Sequence, residues 1–226
     1  MLRRLVVLLG FAVSLPAPAL GVDYVDASGR LSDEDFYRAV ACGAPPGGRC
    51  QQILTKWSPA DRGNLTVSVT VSDPDFPDGK RRQIVRDLDR AIAELNGSGA
   101  DIHLARTDKA RADIRVYLVG APVNSIIRGT GNPTLDGGYI EAALTSIIWQ
   151  TTTGRMESAS IAFSRGILPG DIRSVVLEEL TQSLGVIFDI RDSYYNTRSI
   201  FSEDGNSVIR ISGQDETVLR MHYPPK

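Results

Sequence analysis

The sequence predicts an α+β fold, a single domain in which a small mixed sheet carries two long helices and is followed by a C-terminal helix. Three observations predict it. Residues 65–71 alternate strictly, with Leu65, Val67, Val69 and Val71 on one side, as a strand with one buried face does. In "DGKRRQIVRDLDRAIAELNG", Ile84, Val85, Leu88, Ile92 and Leu95 recur at helical spacing and the pattern ends at Asn96-Gly97. A second helix is expected from about Asp171 to Leu184, stopped at Gly185. Strands and helices mixed in this order put the helices on one face of a small sheet.

Ahead of these elements, Arg3 and Arg4 precede "LVVLLGFAVSL", and "PAPALG" ends the stretch in small residues. This is the pattern of a secretory signal peptide over residues 1–21, cleaved after Ala19 or Gly21. About a dozen apolar residues are too few for a bilayer that needs about 20. The expected compartment is therefore the periplasm or the exterior. Removing the segment takes away two arginines and no acid, so the formal charge of −2 becomes −4. Neither a nucleic-acid partner nor an anionic membrane surface is expected for such a chain.

Residues 22–64 read as an N-terminal extension before the main domain at 65–226. "SDEDFYRAVACG" forms a short helix with Ser32 as N-cap and Gly43 as stop. Cys42 and Cys50 bracket the turn "GAPPGGR", and in an exported chain two cysteines this close form a local disulfide. "DIHLAR" and "ADIRVYLVG" are further strands. "RGTGNPTLDGG", at 128–138, lacks the lysine of a phosphate-binding loop and reads as a surface connection. "YIEAALTSIIWQTT" fits strand or helix, whereas "MESASIAFS", at 156–164, alternates as a strand and is taken as the sheet edge. A loop over 189–207 leads to a last short helix from near Ser212 to "MHYPPK".

On a helical wheel, residues 171–187 are apolar around well over half the circumference, leaving a narrow polar stripe. Glu178 and Gln182 lie one turn apart on that stripe, with Glu179 at its margin. "EELTQ" is good helix-forming material for a solvated face, whereas the absence of lysine and arginine between Arg173 and Arg191 argues for a cleft; the spacing alone leaves both readings open.

The stretch "EELTQSLGVIFD", followed by "RSIF" and "QDETVLRMHYPP", resembles the metzincin branch of the zincin metallopeptidases, whose helix reads H-E-x-x-H-x-x-G-x-x-H/D. Glu178 and Gln182 stand in the places of the two helical histidines, Glu179 in that of the catalytic glutamate and Phe188 in that of the third ligand. Asp189 follows one step late, and Phe201 takes the place of the methionine beneath the metal. The same motifs more closely resemble the domain of unknown function 2927, a family of exported proteins of unknown activity.

The resemblance implies a zincin-like domain that has lost its zinc ligands. Glutamine is a weak donor to zinc and phenylalanine no donor at all, and His103 and His222, the two histidines of the chain, cannot make a three-histidine site. No cofactor is expected. The function implied is a non-catalytic peptide- or protein-binding module of the cell envelope, with an extended peptide or envelope protein pairing along strand 156–164 and Glu178, Gln182 and Asp189 lining the cleft. The alternative is a hydrolase in which the Glu178/Glu179 pair, with Glu179 as base, works with a non-zinc cation or none.

Overall fold

A computed structural model describes residues 24–226; the proposed signal segment 1–21 lies outside them. The elements are β1 (Tyr24–Asp26), α1 (Asp33–Cys42), β2 (Leu65–Ser72), α2 (Asp78–Gly97), β3 (Leu104–Arg106), β4 (Ile114–Val119), β5 (Ser125–Ile126), β6 (Tyr139–Ile140), β7 (Ala143–Trp149), β8 (Met156–Ser164), α3 (Ile172–Gln182), β9 (Asp189–Arg191) and α4 (Gln214–His222). The α+β class, the two long helices and the closing helix are as the sequence predicts.

Five strands form the main sheet in the order β3-β2-β4-β8-β7. All neighbours run parallel except β7, which is antiparallel to β8. This corrects the expected edge. Strand 156–164 is β8, paired on both sides, and the edge is β7, from the stretch that could not be told from helix. The run "ASIAFS" is buried residue after residue, as an interior strand covered on both faces requires. β7 is half-buried along most of its length.

The helices α2 and α3 are in contact, and Ile84, Leu88 and Leu95 join Leu177, Leu180 and Leu184 in one core with Leu65, Val67, Ile114 and Val116 of the sheet. The segment 128–138 is more than a surface connection. Leu135 is fully buried beside Ile127, Ile140 and Ala162 in a second small core, and Asp136 accepts from the Thr130 and Gly131 amides to hold the loop.

The N-terminal segment joins the same core. β1 pairs in parallel with β9, and α1 contacts α4. Ser32 caps α1 by accepting from the Asp35 amide, and Gly43 ends the helix at φ 69°, both at the positions expected. The Phe36 ring stacks on Tyr195 with centroids 5.0 Å apart.

Cys42 and Cys50 are disulfide-bonded, with Cα atoms 5.1 Å apart. The loop they close lies against the chain after α3: the Phe188 ring fills the space beside Gly43, and the Phe188 amide donates to the Val40 carbonyl at 3.0 Å. Replacing both cysteines by serine is expected to lower stability by about 2.5 kcal/mol, the loop-closure entropy of so short a ring. Urea unfolding of the double variant checks this, and an unchanged midpoint would show that the packing alone fixes the loop.

Candidate functional site

The C-terminal end of α3 is held by three side chains from distant segments. Tyr223 donates its hydroxyl to the Leu184 carbonyl at 2.6 Å, the Trp57 indole donates to the Ser183 carbonyl at 3.1 Å, and Thr55 donates to the Gly185 carbonyl at 3.3 Å. These carbonyls have no partner within the helix and would otherwise be buried unpaired. Gly185 then turns the chain at φ 100°. The helix is thereby fixed at one end, and its polar residues face β7 at a defined height.

A groove of about 480 Å³ lies between α3 and β7. Its walls include Thr145 and Ile147 of β7, Glu178, Glu179 and Gln182 of α3, and Asp189 and Glu203 beyond the helix. All four of the sequence-predicted site residues are therefore brought together. The polar stripe of α3 is narrower than the wheel suggests, because Ser174 and Thr181 are buried and bonded to main-chain carbonyls.

Each site residue has a distinct setting. Glu179, the residue in the catalytic-glutamate place, is buried and accepts from the Thr145 hydroxyl at 2.5 Å, which ties the helix to the edge strand. Gln182 donates its amide to Asp189 at 3.0 Å. Glu178 is half-buried, and its carboxyl is pushed well above the ordinary carboxylate range. Burial is the first cause, followed by the charges of Asp189, Glu179 and Glu203. Glu178 therefore tends to hold a proton, and the strongest of its charged neighbours is Asp189 rather than the adjacent Glu179.

Sequence reasoning missed Glu141, Glu203 and Thr145. Glu203 lies two residues past the "SIF" turn, but no periodicity carries it toward α3. It arrives because β9 bridges to Ser202, with the Ile190 amide donating to the Phe201 carbonyl at 2.7 Å. Glu141 and Thr145 come from the stretch whose element type the pattern left open. With them the groove is lined by five carboxylates, Glu141, Glu178, Glu179, Asp189 and Glu203; no lysine or arginine among the described residues lines it, and Glu203 pairs outward with Arg191 at 3.1 Å.

The residues at the resemblance's metal positions do not fit zinc. The Phe188 ring lies against Gly43 and has no donor atom, and Gln182 turns its amide nitrogen toward Asp189. Among the described residues, no group of three or more Asp, Glu, His or Cys side chains is placed to hold a metal ion. Phe201, in the methionine place, is fully buried with its ring 6.3 Å from that of Phe36, so the turn serves as core.

The two histidines lie apart from the groove. His103 is exposed ahead of β3. His222 is fully buried; its Nε2 donates to the Thr55 carbonyl at 2.9 Å, which leaves Nδ1 to accept from the Tyr37 hydroxyl at 3.3 Å.

Comparison with known proteins gives one family: the model of a protein of unknown function, DUF2927, matches residues 34–226. No curated protein matches the chain.

Proposed function

For this chain, which belongs to the DUF2927 family, we propose a zincin-like domain of the cell envelope that binds an extended peptide without cleaving it. The observation that carries the reading is the groove, which five carboxylates line, with Glu203 among them paired to Arg191, beside the sheet-edge strand β7. An edge strand offers unpaired backbone donors and acceptors to a second strand. The carboxylates select a segment with a lysine or arginine at the position over Glu178. The resemblance implied a peptide along strand 156–164; since that strand is interior, the proposal takes the edge strand β7 instead. Support for the zincin-like relationship comes from Gly185 turning the chain after the helix, from the buried "SIF" turn, and from Tyr223 of the closing segment clasping α3. The disulfide and the proposed signal segment support export.

Binding a cation beside Glu178 favours its ionised form, so affinity for a basic peptide should rise with pH as that proton is released. Fluorescence anisotropy with short extended peptides, one series carrying lysine and a matched series carrying glutamate, tests the proposal. The lysine series is expected to bind, and Glu178→Lys to weaken it at least ~10-fold through an unpaired like charge. Equal binding of the two series, or indifference to Glu178→Lys, overturns it.

The raised carboxyl of Glu178 favours a second reading, a carboxylate-pair hydrolase. Its pair would be Glu178 with Asp189, which replaces the Glu178/Glu179 pair of the sequence reading because Asp189 is the stronger charged neighbour of Glu178. Under that reading the lysine peptides are cut, and Asp189→Asn stops cleavage while binding persists. Intact peptides after prolonged incubation eliminate it.

A further inference from the structure

A second cavity, of about 680 Å³, opens elsewhere on the molecule, between the segment before α1, the loop 194–199 and the start of α4. None of its lining residues is shared with the groove. Its charge is of the opposite kind. Three arginines, Arg30, Arg198 and Arg210, line it, in a chain whose overall formal charge is negative.

Counter-charges on the same wall are few and already engaged. Asp33 pairs with Arg30 at 3.4 Å and accepts from Gln214 at 2.8 Å. Asp215 is 1% exposed, with its two carboxyl oxygens accepting from the Ser199 hydroxyl at 2.7 Å and the Ile200 amide at 2.9 Å. Arg198 donates to the Tyr194 carbonyl at 2.8 Å and lies over the Tyr194 ring, its guanidinium carbon 4.6 Å from the centroid. That contact fixes the position of the guanidinium without neutralising it. Arg210 has no ion pair or hydrogen bond among the described residues.

Two guanidiniums without carboxylate partners, facing one concavity, raise the local potential and repel each other. A ligand oxyanion relieves both costs, and the guanidinium fork matches the geometry of phosphate and carboxylate. The wall also carries Val208 and Ile209, the latter 39% exposed. An apolar body beside the anionic group would cover them. The size suits a small organic molecule.

We propose that this cavity is a binding site for a small organic oxyanion, a phosphate or carboxylate joined to an apolar body, with Arg198 and Arg210 as its anion contacts. The site is independent of the groove and of the peptide reading.

Calorimetric titration of the secreted form with phenyl phosphate at low ionic strength tests it. Saturable binding is expected, weakened at least ~10-fold by Arg198→Ala and by Arg210→Ala, the loss of one charge-assisted contact each, and absent with phenol, which lacks the anion. Both arginines are exposed, so the variants should fold, and circular dichroism confirms it. Glu178→Lys should leave this binding unchanged. No saturable heat up to about 10 mM, a limit weaker than any useful affinity, overturns the proposal, as does equal binding of phenol or indifference to both arginine variants. Co-sedimentation with phosphatidylglycerol vesicles separates the two carriers of such a group. Retention that the arginine variants abolish identifies a lipid headgroup, and phenyl phosphate binding without retention identifies a soluble ligand.

Discussion

Gly185→Ala is expected to destabilise the protein by at least ~3 kcal/mol, enough to abolish folding in a domain of ordinary stability. Two costs add. The residue sits at φ 100°, a region that side-chain-bearing residues rarely enter. A Cβ there would also lie 2.0 Å from the Thr55 carbonyl oxygen and 2.9 Å from its carbon, which are backbone atoms. Relief requires the 55–57 segment to move. That segment donates to the Gly185 and Ser183 carbonyls, accepts from His222 and is bridged to Arg155. Gly79→Ala is the matched control: it lies in the first turn of α2 with nothing within 4 Å of its new methyl group. There alanine should stabilise by up to about 0.5–1 kcal/mol. Thermal unfolding of both variants reads the contrast, and a Gly185→Ala protein that melts with the parent refutes the account of the turn.

The second large effect is a dependence of stability on pH set by three buried or half-buried groups. Burial pushes Asp215 up to about 7 from an ordinary 3.8, so the folded state keeps a proton that the unfolded chain has released. Stability from that group is full below pH 4 and is lost as the pH rises toward 7. Burial, with Lys56 nearby, lowers His222 to about 3 from 6.5, so here the unfolded chain holds the extra proton. Its contribution is full above pH 6.5 and is lost as the pH falls toward 3. Between pH 4.5 and 6.5 the two slopes cancel, each being about 1.4 kcal/mol per pH unit. The raised carboxyl of Glu178 then remains, and it makes stability fall as the pH rises.

The parent protein is therefore expected to lose stability as the pH rises across this window. His222→Gln, whose amide can still donate to the Thr55 carbonyl, should steepen the loss by about one proton's slope. Asp215→Asn should flatten it. Over the whole window the two variants diverge by about 5 kcal/mol, somewhat less than two full one-proton slopes across roughly two pH units because both groups are part-titrated at its upper end. Urea unfolding at half-unit steps of pH measures the slopes. Parallel lines for the three proteins would mean that neither side chain changes its protonation on folding.

What could be read before folding was local. The helix α2 spans the residues its apolar spacing marks, α1 begins and ends at its capping residues, and the cysteines are joined across their Gly/Pro turn. The polar stripe of α3 was legible too, since Glu178 and Gln182 share a face whatever surrounds the helix. These features depend on residues within a few positions of one another, where backbone geometry fixes the neighbours.

The edge of the sheet was not legible. Alternation in β8 reports that a strand has two faces, not which strands lie beside it, and pairing is settled by hydrogen bonds to β4 and β7 from distant parts of the chain. The same reason hid Glu141 and Glu203, which reach the groove through the edge strand and through the β9 segment. By itself the sequence determined an amphipathic helix with two polar residues one turn apart, and a local cysteine staple far from it in the chain. Only the tertiary structure decided that this helix faces an open strand across a groove of five carboxylates, because charge from separate segments accumulates through chain crossings that no local pattern encodes.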